Sequence, residues 1–178
     1  MKPIFIKLGI FFIYLTQLHA VDWGKLDSLD GKYYLDGNLF TGQAIKHLNT
    51  GPMKGEFQDG IRHGLWLKLN RIDEPIMIGH YEMGLKHGEW KQWYDDERKR
   101  RKELEANFNQ GKYDGPYREW YENGKKEMTV EYVNDVPWGK AKFWFEDGSI
   151  QGQGTIKDEV PGGGWLVEDD FGILQVFK

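Results

Sequence analysis

Glycine recurs through this chain on a nearly fixed step. Gly42, Gly64, Gly88, Gly115, Gly139 and Gly163 are separated by 22, 24, 27, 24 and 24 residues. Two residues past each glycine stand Ala44, Trp66, Trp90, Tyr117, Ala141 and Trp165, and nine past it stand Gly51, Asp73, Glu97, Gly124, Gly148 and Gly172. A third series, Tyr33, Phe57, Tyr81, Phe108, Tyr132 and Ile156, keeps the step and shares the jump of 27. Three registers in phase define a repeat array, in which stability is a sum of unit and nearest-neighbour terms.

The segment GPYREWYENGKKEMTVEYVND, residues 115 to 135, shows what one unit does. Tyr117 to Glu122 predicts a short strand, because aromatic side chains suit a pleated surface. Asn123-Gly124 predicts a hairpin turn, since both residues tolerate positive φ. Lys126 to Val133 returns as a second strand, with Met128, Val130 and Tyr132 alternating against polar neighbours. Asp147-Gly148 repeats the turn one unit later, and the repeat glycines mark the tight link to the next hairpin. A lone hairpin is marginal in water. The expected fold is therefore all-β: an elongated, single-layer antiparallel sheet of stacked hairpins. Where the interval stretches to 27, the run Asp95 to Glu103 lengthens one turn into a charged loop.

GEWKQWYDDE, GPYREWYENGKK and GKAKFWFEDGS, each followed by a strand that ends in an aromatic and a new glycine, resemble the MORN-repeat superfamily. They look more like its bacterial MORN-variant form. The likeness covers residues 31 to 178; Ala44 and Ala141 depart from the aromatic position, and Gly162-Gly163-Gly164 blurs the last register. The resemblance implies a binding and dimerising scaffold, with lipid headgroups as one proposed ligand. For the bacterial variant form it implies an antitoxin-like or immunity-like role.

Residues 1–20, MKPIFIKLGIFFIYLTQLHA, follow the charged, apolar and cleavage-region order of a secretory signal. The apolar run is too short to span a bilayer, which needs about 20 residues. Cleavage is expected after Ala20, leaving residues 21–178 as the repeat domain in the periplasm or outside the cell; the alternative is an uncleaved anchor. The chain has no cysteine, which removes disulfides, thiolate metal sites and a cysteine nucleophile. Its net charge of −4 argues against nucleic acid as a partner.

No catalytic set stands out. His63 and His87 each precede a repeat glycine and are read as turn residues, while His47 and His80 have no partner at fixed spacing. The doublets Asp95-Asp96 and Asp169-Asp170 read as surface charge. Neither a metal nor a cofactor is expected, and the chain is read as a non-enzyme.

One surface is informative. Alternation along a strand places the second, fourth and sixth residues past each repeat glycine on one face. The opposite face then carries Lys91 with Trp93, Arg118 with Trp120, and Lys142 with Trp144. These basic-x-Trp pairs form a ladder that serves either as packing, with cationic stems over the rings, or as a partner-binding strip. Which face is buried stays open at this stage. The leading expectation is an exported scaffold that binds a protein, such as a toxin or hydrolase that it neutralises or escorts. The alternative is an envelope module that binds lipid headgroups or glycan.

Overall fold

A computed structural model describes residues 20–96, 100–160 and 163–177. The signal-like segment, residues 1–20, therefore lies outside the described residues apart from Ala20, as do residues 97–99 of the charged loop. Sixteen strands form: β1 (Val21–Asp22), β2 (Asp27–Leu29), β3 (Lys32–Leu35), β4 (Asn38–Leu39), β5 (Gly42–Lys46), β6 (Met53–Gln58), β7 (Ile61–Leu69) and β8 (Pro75–Glu82), then β9 (Leu85–Trp93), β10 (Lys102–Asn109), β11 (Lys112–Trp120), β12 (Lys126–Val133), β13 (Val136–Trp144), β14 (Ile150–Glu159), β15 (Trp165–Glu168) and β16 (Leu174–Phe177). Thirteen of them make one open sheet in the order β1, then β5 through β16. At the usual strand spacing it runs about 60 Å from edge to edge. Fold class and hairpin stacking are as the repeat predicts.

Two features at the start of the chain fall outside the repeat. β1 runs parallel to β5, pairing Val21 with Ala44 and Asp22 with Ile45. Strands β2, β3 and β4 form a separate small sheet. It docks through backbone bonds from Tyr33 N to Gly60 O and from Gly60 N to Phe40 O, each 2.8 Å. This cap brings Phe40, Trp23, Leu26 and Tyr33 over Ala44, Phe57 and Trp66. Ala44 is fully buried because Trp23, from the helical turn after β1, supplies a ring beside Phe57 and Trp66, with centroids 5.5 Å from both.

The repeat glycines do not make the tight links between hairpins. Those links are two-residue turns placed earlier, at Asp59-Gly60, Met83-Gly84, Gln110-Gly111 and Asn134-Asp135, where both residues take positive φ. This is the turn whose twist matches the flanking strands. Gly64, Gly88, Gly115 and Gly139 lie inside β7, β9, β11 and β13, at register shifts where the strand carries two residues more than the strand before it. Gly64, at φ 64°, occupies a backbone region costly for any residue with a Cβ. His63 and His87 are accordingly strand residues rather than turn residues.

Asn123-Gly124 closes the β11–β12 hairpin by a different geometry from the one its sequence suggests. Tyr121 N donates to Lys125 O at 2.9 Å and Gly124 N donates to Tyr121 O at 2.8 Å, making a longer turn in which only the glycine takes positive φ. β11 consequently ends at Trp120, short of the expected Glu122, and begins at Lys112. Asn123 contributes its amide instead: Oδ1 accepts from Lys125 N at 2.9 Å, and Nδ2 donates to Glu146 O in the next unit at 2.6 Å.

One face holds the core. Trp66, Trp90, Phe57, Phe108, Val130, Ala141 and Phe143 are all buried, and Tyr81, Tyr117 and Tyr132 pack against them. The rings meet edge to face along the array, with centroids 5.3 Å apart for Trp66 and Tyr81 and 5.2 Å for Tyr81 and Trp90. A fourth periodic series makes room for them: Gly55, Gly79, Ala106, Val130 and Gly154. The Trp66 ring lies flat over Gly55 and the Trp90 ring over Gly79. Where the series holds the larger Val130, the facing position shrinks to Ala141, so large and small residues are matched across neighbouring strands. Each indole also takes up a carbonyl opposite the bulge. Trp66 Nε1 donates to Glu56 O at 3.2 Å, and Trp90 Nε1 donates to His80 O at 3.1 Å.

The last unit slips. Val167, not Trp165, stands opposite Ile156 and is 1% exposed, while Trp165 pairs with Glu159 and Phe177. Phe177 completes the core by stacking on Phe143 at 4.5 Å and covering Gly152.

Candidate binding surface

Trp93, Trp120 and Trp144 end β9, β11 and β13. Strand alternation from the core-facing Trp90, Tyr117 and Ala141 sets all three on the face opposite the core. They are two strands apart and partly exposed. Their placement thus follows the sequence reading.

The cations that accompany them differ from that reading. Of the three basic-x-Trp pairs only Lys142 lies over its own ring, with Nζ 5.4 Å from the centroid of Trp144. Lys91 Nζ instead sits 2.7 Å from Glu89 Oε2, and this bond raises its pKa above the ordinary lysine value. Arg118 stands directly opposite Glu105 in the β10–β11 register. The other cations over the rings come from the strands between and, for Arg100, from the loop that leads into β10. Arg100 lies over Trp93 at 5.2 Å, Lys102 over Trp120 at 5.2 Å and Lys126 over Trp144 at 5.7 Å. Lys102 is also the register partner of Trp93, and Lys126 that of Trp120. A continuous stripe results, running Arg100, Trp93, Lys102, Trp120, Lys126, Trp144.

The stripe is rigid for identifiable reasons. Tyr94 donates its hydroxyl to Trp120 O at 2.6 Å, and Tyr121 donates to Trp144 O at 2.7 Å, so each unit tethers the backbone under the next indole. Lys125 reaches Asp147 O, and Arg101 pairs with Asp96. Cation–π contacts add about 0.5–1 kcal/mol each at exposed sites. Phe145 occupies the position of Tyr94 and Tyr121 without a hydroxyl and is half exposed, which ends the series. The missed cations had a sequence signal. Lys102 and Lys126 both lie six residues before a core aromatic, Phe108 and Tyr132, but their strand had to be registered against its neighbour before they could be assigned to the rings.

Elsewhere, His80 stands directly opposite His87, whose Nδ1 is 3.4 Å from Glu82 Oε2, and His63 lines the same shallow hollow. Among the described residues no three such side chains converge to hold a metal ion. Asp169 fixes a turn, its Oδ1 accepting from Phe171 N and Ile173 N at 2.9 Å each.

Behind the stripe, Tyr113, Tyr117 and Tyr132 form a half-buried cluster with centroids 5.3 to 5.4 Å apart. Burial pushes the Tyr132 phenol up to about 12 and raises those of Tyr113 and Tyr117 as well. The Tyr117 hydroxyl donates to Glu119, which holds its proton further.

An open sheet of bulged hairpins, with rings on one face and a cation–indole stripe on the other, defines a β-repeat scaffold. Residues 113–134 and 139–158 match the family model of the MORN repeat variant. Those segments are the β11–β12 and β13–β14 units, the same hairpins that carry Trp120 and Trp144. Such repeats are generally non-catalytic binding modules for proteins or membrane lipids. No curated protein matches the chain at a significant level.

Proposed function

We propose that this chain is an exported, non-enzymatic scaffold that binds another protein and neutralises or escorts it, in the manner of an immunity or antitoxin-like protein acting on a secreted toxin or hydrolase. The alternating cation–indole stripe carries the reading. Trp and Arg dominate binding hot spots, where truncation costs about 2 kcal/mol or more. Here the rings are fixed before a partner arrives, which lowers the ordering cost of association. Trp93, Trp120 and Trp144 supply contact area, and Lys102, Lys126 and Lys142 supply charge. Lys91 and Arg118 flank the stripe as further polar contacts.

Export rests on the order of residues in the first twenty. Cleavage after Ala20 would free an amino terminus at Val21, the first residue of β1. Terminal sequencing of the protein recovered from envelope and medium should start at Val21; a chain retained with Met1 in the cytoplasm removes the export reading.

The binding test is capture of a stoichiometric protein from envelope extract, followed by the Lys102→Gln/Lys126→Gln/Lys142→Gln triple variant. That variant spares the rings and the fold, and it should lose the captured protein. Retention of the protein by both this variant and a folded Trp93→Ala/Trp120→Ala/Trp144→Ala variant would overturn the site. Sedimentation with anionic vesicles or cell-wall fragments, without protein capture, would transfer the stripe to lipid or glycan.

A further inference from the structure

The sheet has two ends, and they are unlike. At one end β1 is only two residues long and sits beside the cap. At the other, β16 is the last strand, and the ladder to β15 fixes which of its backbone groups face outward. Asp169 N donates to Ile173 O at 3.0 Å, so this closing pair is hydrogen-bonded. Bonded and non-bonded pairs alternate along an antiparallel ladder. Glu168–Leu174 and Leu166–Val176 are therefore non-bonded pairs, and the N–H and C=O groups of Leu174 and Val176 point away from β15. The side chains of these two residues stand opposite the buried Phe177 and are 54% and 52% exposed. Phe171, at the tip of the same hairpin, is 89% exposed.

Charge selects the occupant. From Glu146 to the chain end there are seven carboxylates and two lysines, and one of these lysines, Lys157, is already paired with Glu168. Residues 21–145 are close to neutral by comparison, with 21 acids and 20 Lys+Arg. A second copy of this chain would bring the same negative end to the edge, whereas a basic segment is attracted to it.

We propose that β16 accepts an extended segment of a partner protein as an added strand, and that this segment has alternating apolar residues flanked by Lys or Arg. The backbone of Leu174 and Val176 provides the hydrogen bonds, their side chains and Leu166 take the apolar residues, and the surplus of carboxylates in this part of the chain attracts the flanking cations. This is strand addition, in which the edge gives affinity and the alternate side chains give register.

The probe is the capped, fluorescently labelled peptide Lys-Lys-Val-Thr-Val-Thr-Val-Lys-Lys, titrated into the folded chain and read by anisotropy. Binding is expected, weakening as salt is raised. The same peptide with Glu at the four Lys positions should bind at least about tenfold more weakly. Val176→Pro removes one outward N–H and leaves the bonds of Gln175 and Phe177 to β15 intact, a position an edge strand tolerates. It should weaken binding about tenfold, the equivalent of one lost hydrogen bond. Val176→Lys keeps that N–H and opposes the charge of the peptide, so it decides the matter if the proline detaches the hairpin. Equal binding of the two peptides, or of wild type and both variants, overturns the proposal. So does a wild-type dimer in sedimentation that Val176→Lys converts to monomer, since the edge then belongs to a second copy.

Discussion

An ideal Cβ built on Gly79 would lie 2.1 Å from a ring carbon of Trp90, a separation no real pair of carbons adopts. The Trp90 ring cannot slide away freely. It is 4% exposed, is bonded through Nε1 to His80 O, and is held edge-on by Tyr81. Gly79→Ala should therefore cost about 2–3 kcal/mol, the upper range for overpacking. Trp90→Ala alone should cost about 3–5 kcal/mol through lost burial and cavity. The double variant Gly79→Val/Trp90→Ala reproduces the natural match of Val130 with Ala141. It should come out at least about 1.5 kcal/mol more stable than the sum of the single changes Gly79→Val and Trp90→Ala, a coupling of the size expected for contacting residues. Urea unfolding followed by circular dichroism measures all of these. If Gly79→Ala stays within about 0.5 kcal/mol of wild type, or the double variant is additive, size matching between adjacent strands does not hold the array together.

Two more outcomes follow from local geometry. Tyr132 has a folded-state pKa of about 12, above the ordinary phenol value of 10, so its neutral form is favoured by folding. Its contribution is complete below about pH 10 and is lost as pH rises toward 12. Thermal midpoints should fall across that window, and less steeply in Tyr132→Phe; a flat profile contradicts burial of the cluster. In Gly64→Ala the atoms nearest the new Cβ belong to the movable Glu56 side chain, so the cost is the backbone at φ 64° and should be about 1–2 kcal/mol in chemical denaturation. A neutral result would show that the bulge can relax.

Much of this architecture was legible because repetition amplifies weak signals. The steps through Gly64, Gly88, Gly115 and Gly139, and through Phe57, Tyr81, Phe108 and Tyr132, located every central hairpin, and Lys126 to Val133 was placed residue for residue. The role of the repeat glycine was misread because positive φ serves a bulge as well as a turn, and sequence spacing alone does not separate them. The series Gly55, Gly79, Ala106, Val130 and Gly154 was present all along. It gains meaning only once the strands are registered and the large rings are known to lean over the strand before. The same dependence hid Lys102 and Lys126, whose rings belong to a neighbouring hairpin. In the cap only Tyr33 keeps the period, and Gly163 and Gly164 let the chain reach Val167 two residues late, so the two ends were the least readable parts.

The matching of ring to gap also limits how an array of this kind can change length. Excising the 24 residues from Gly64 to His87 would set Gly55 beneath Trp90, which preserves a flat ring over a bare backbone. Excising those from Gly115 to Trp138 would join Ala106 to Ala141 and leave a void where Tyr117 had been. Units identical in outline are thus not interchangeable in order. Growth or loss of hairpins is tolerated at some junctions and penalised at others, and the junction rather than the unit carries the identity of the chain.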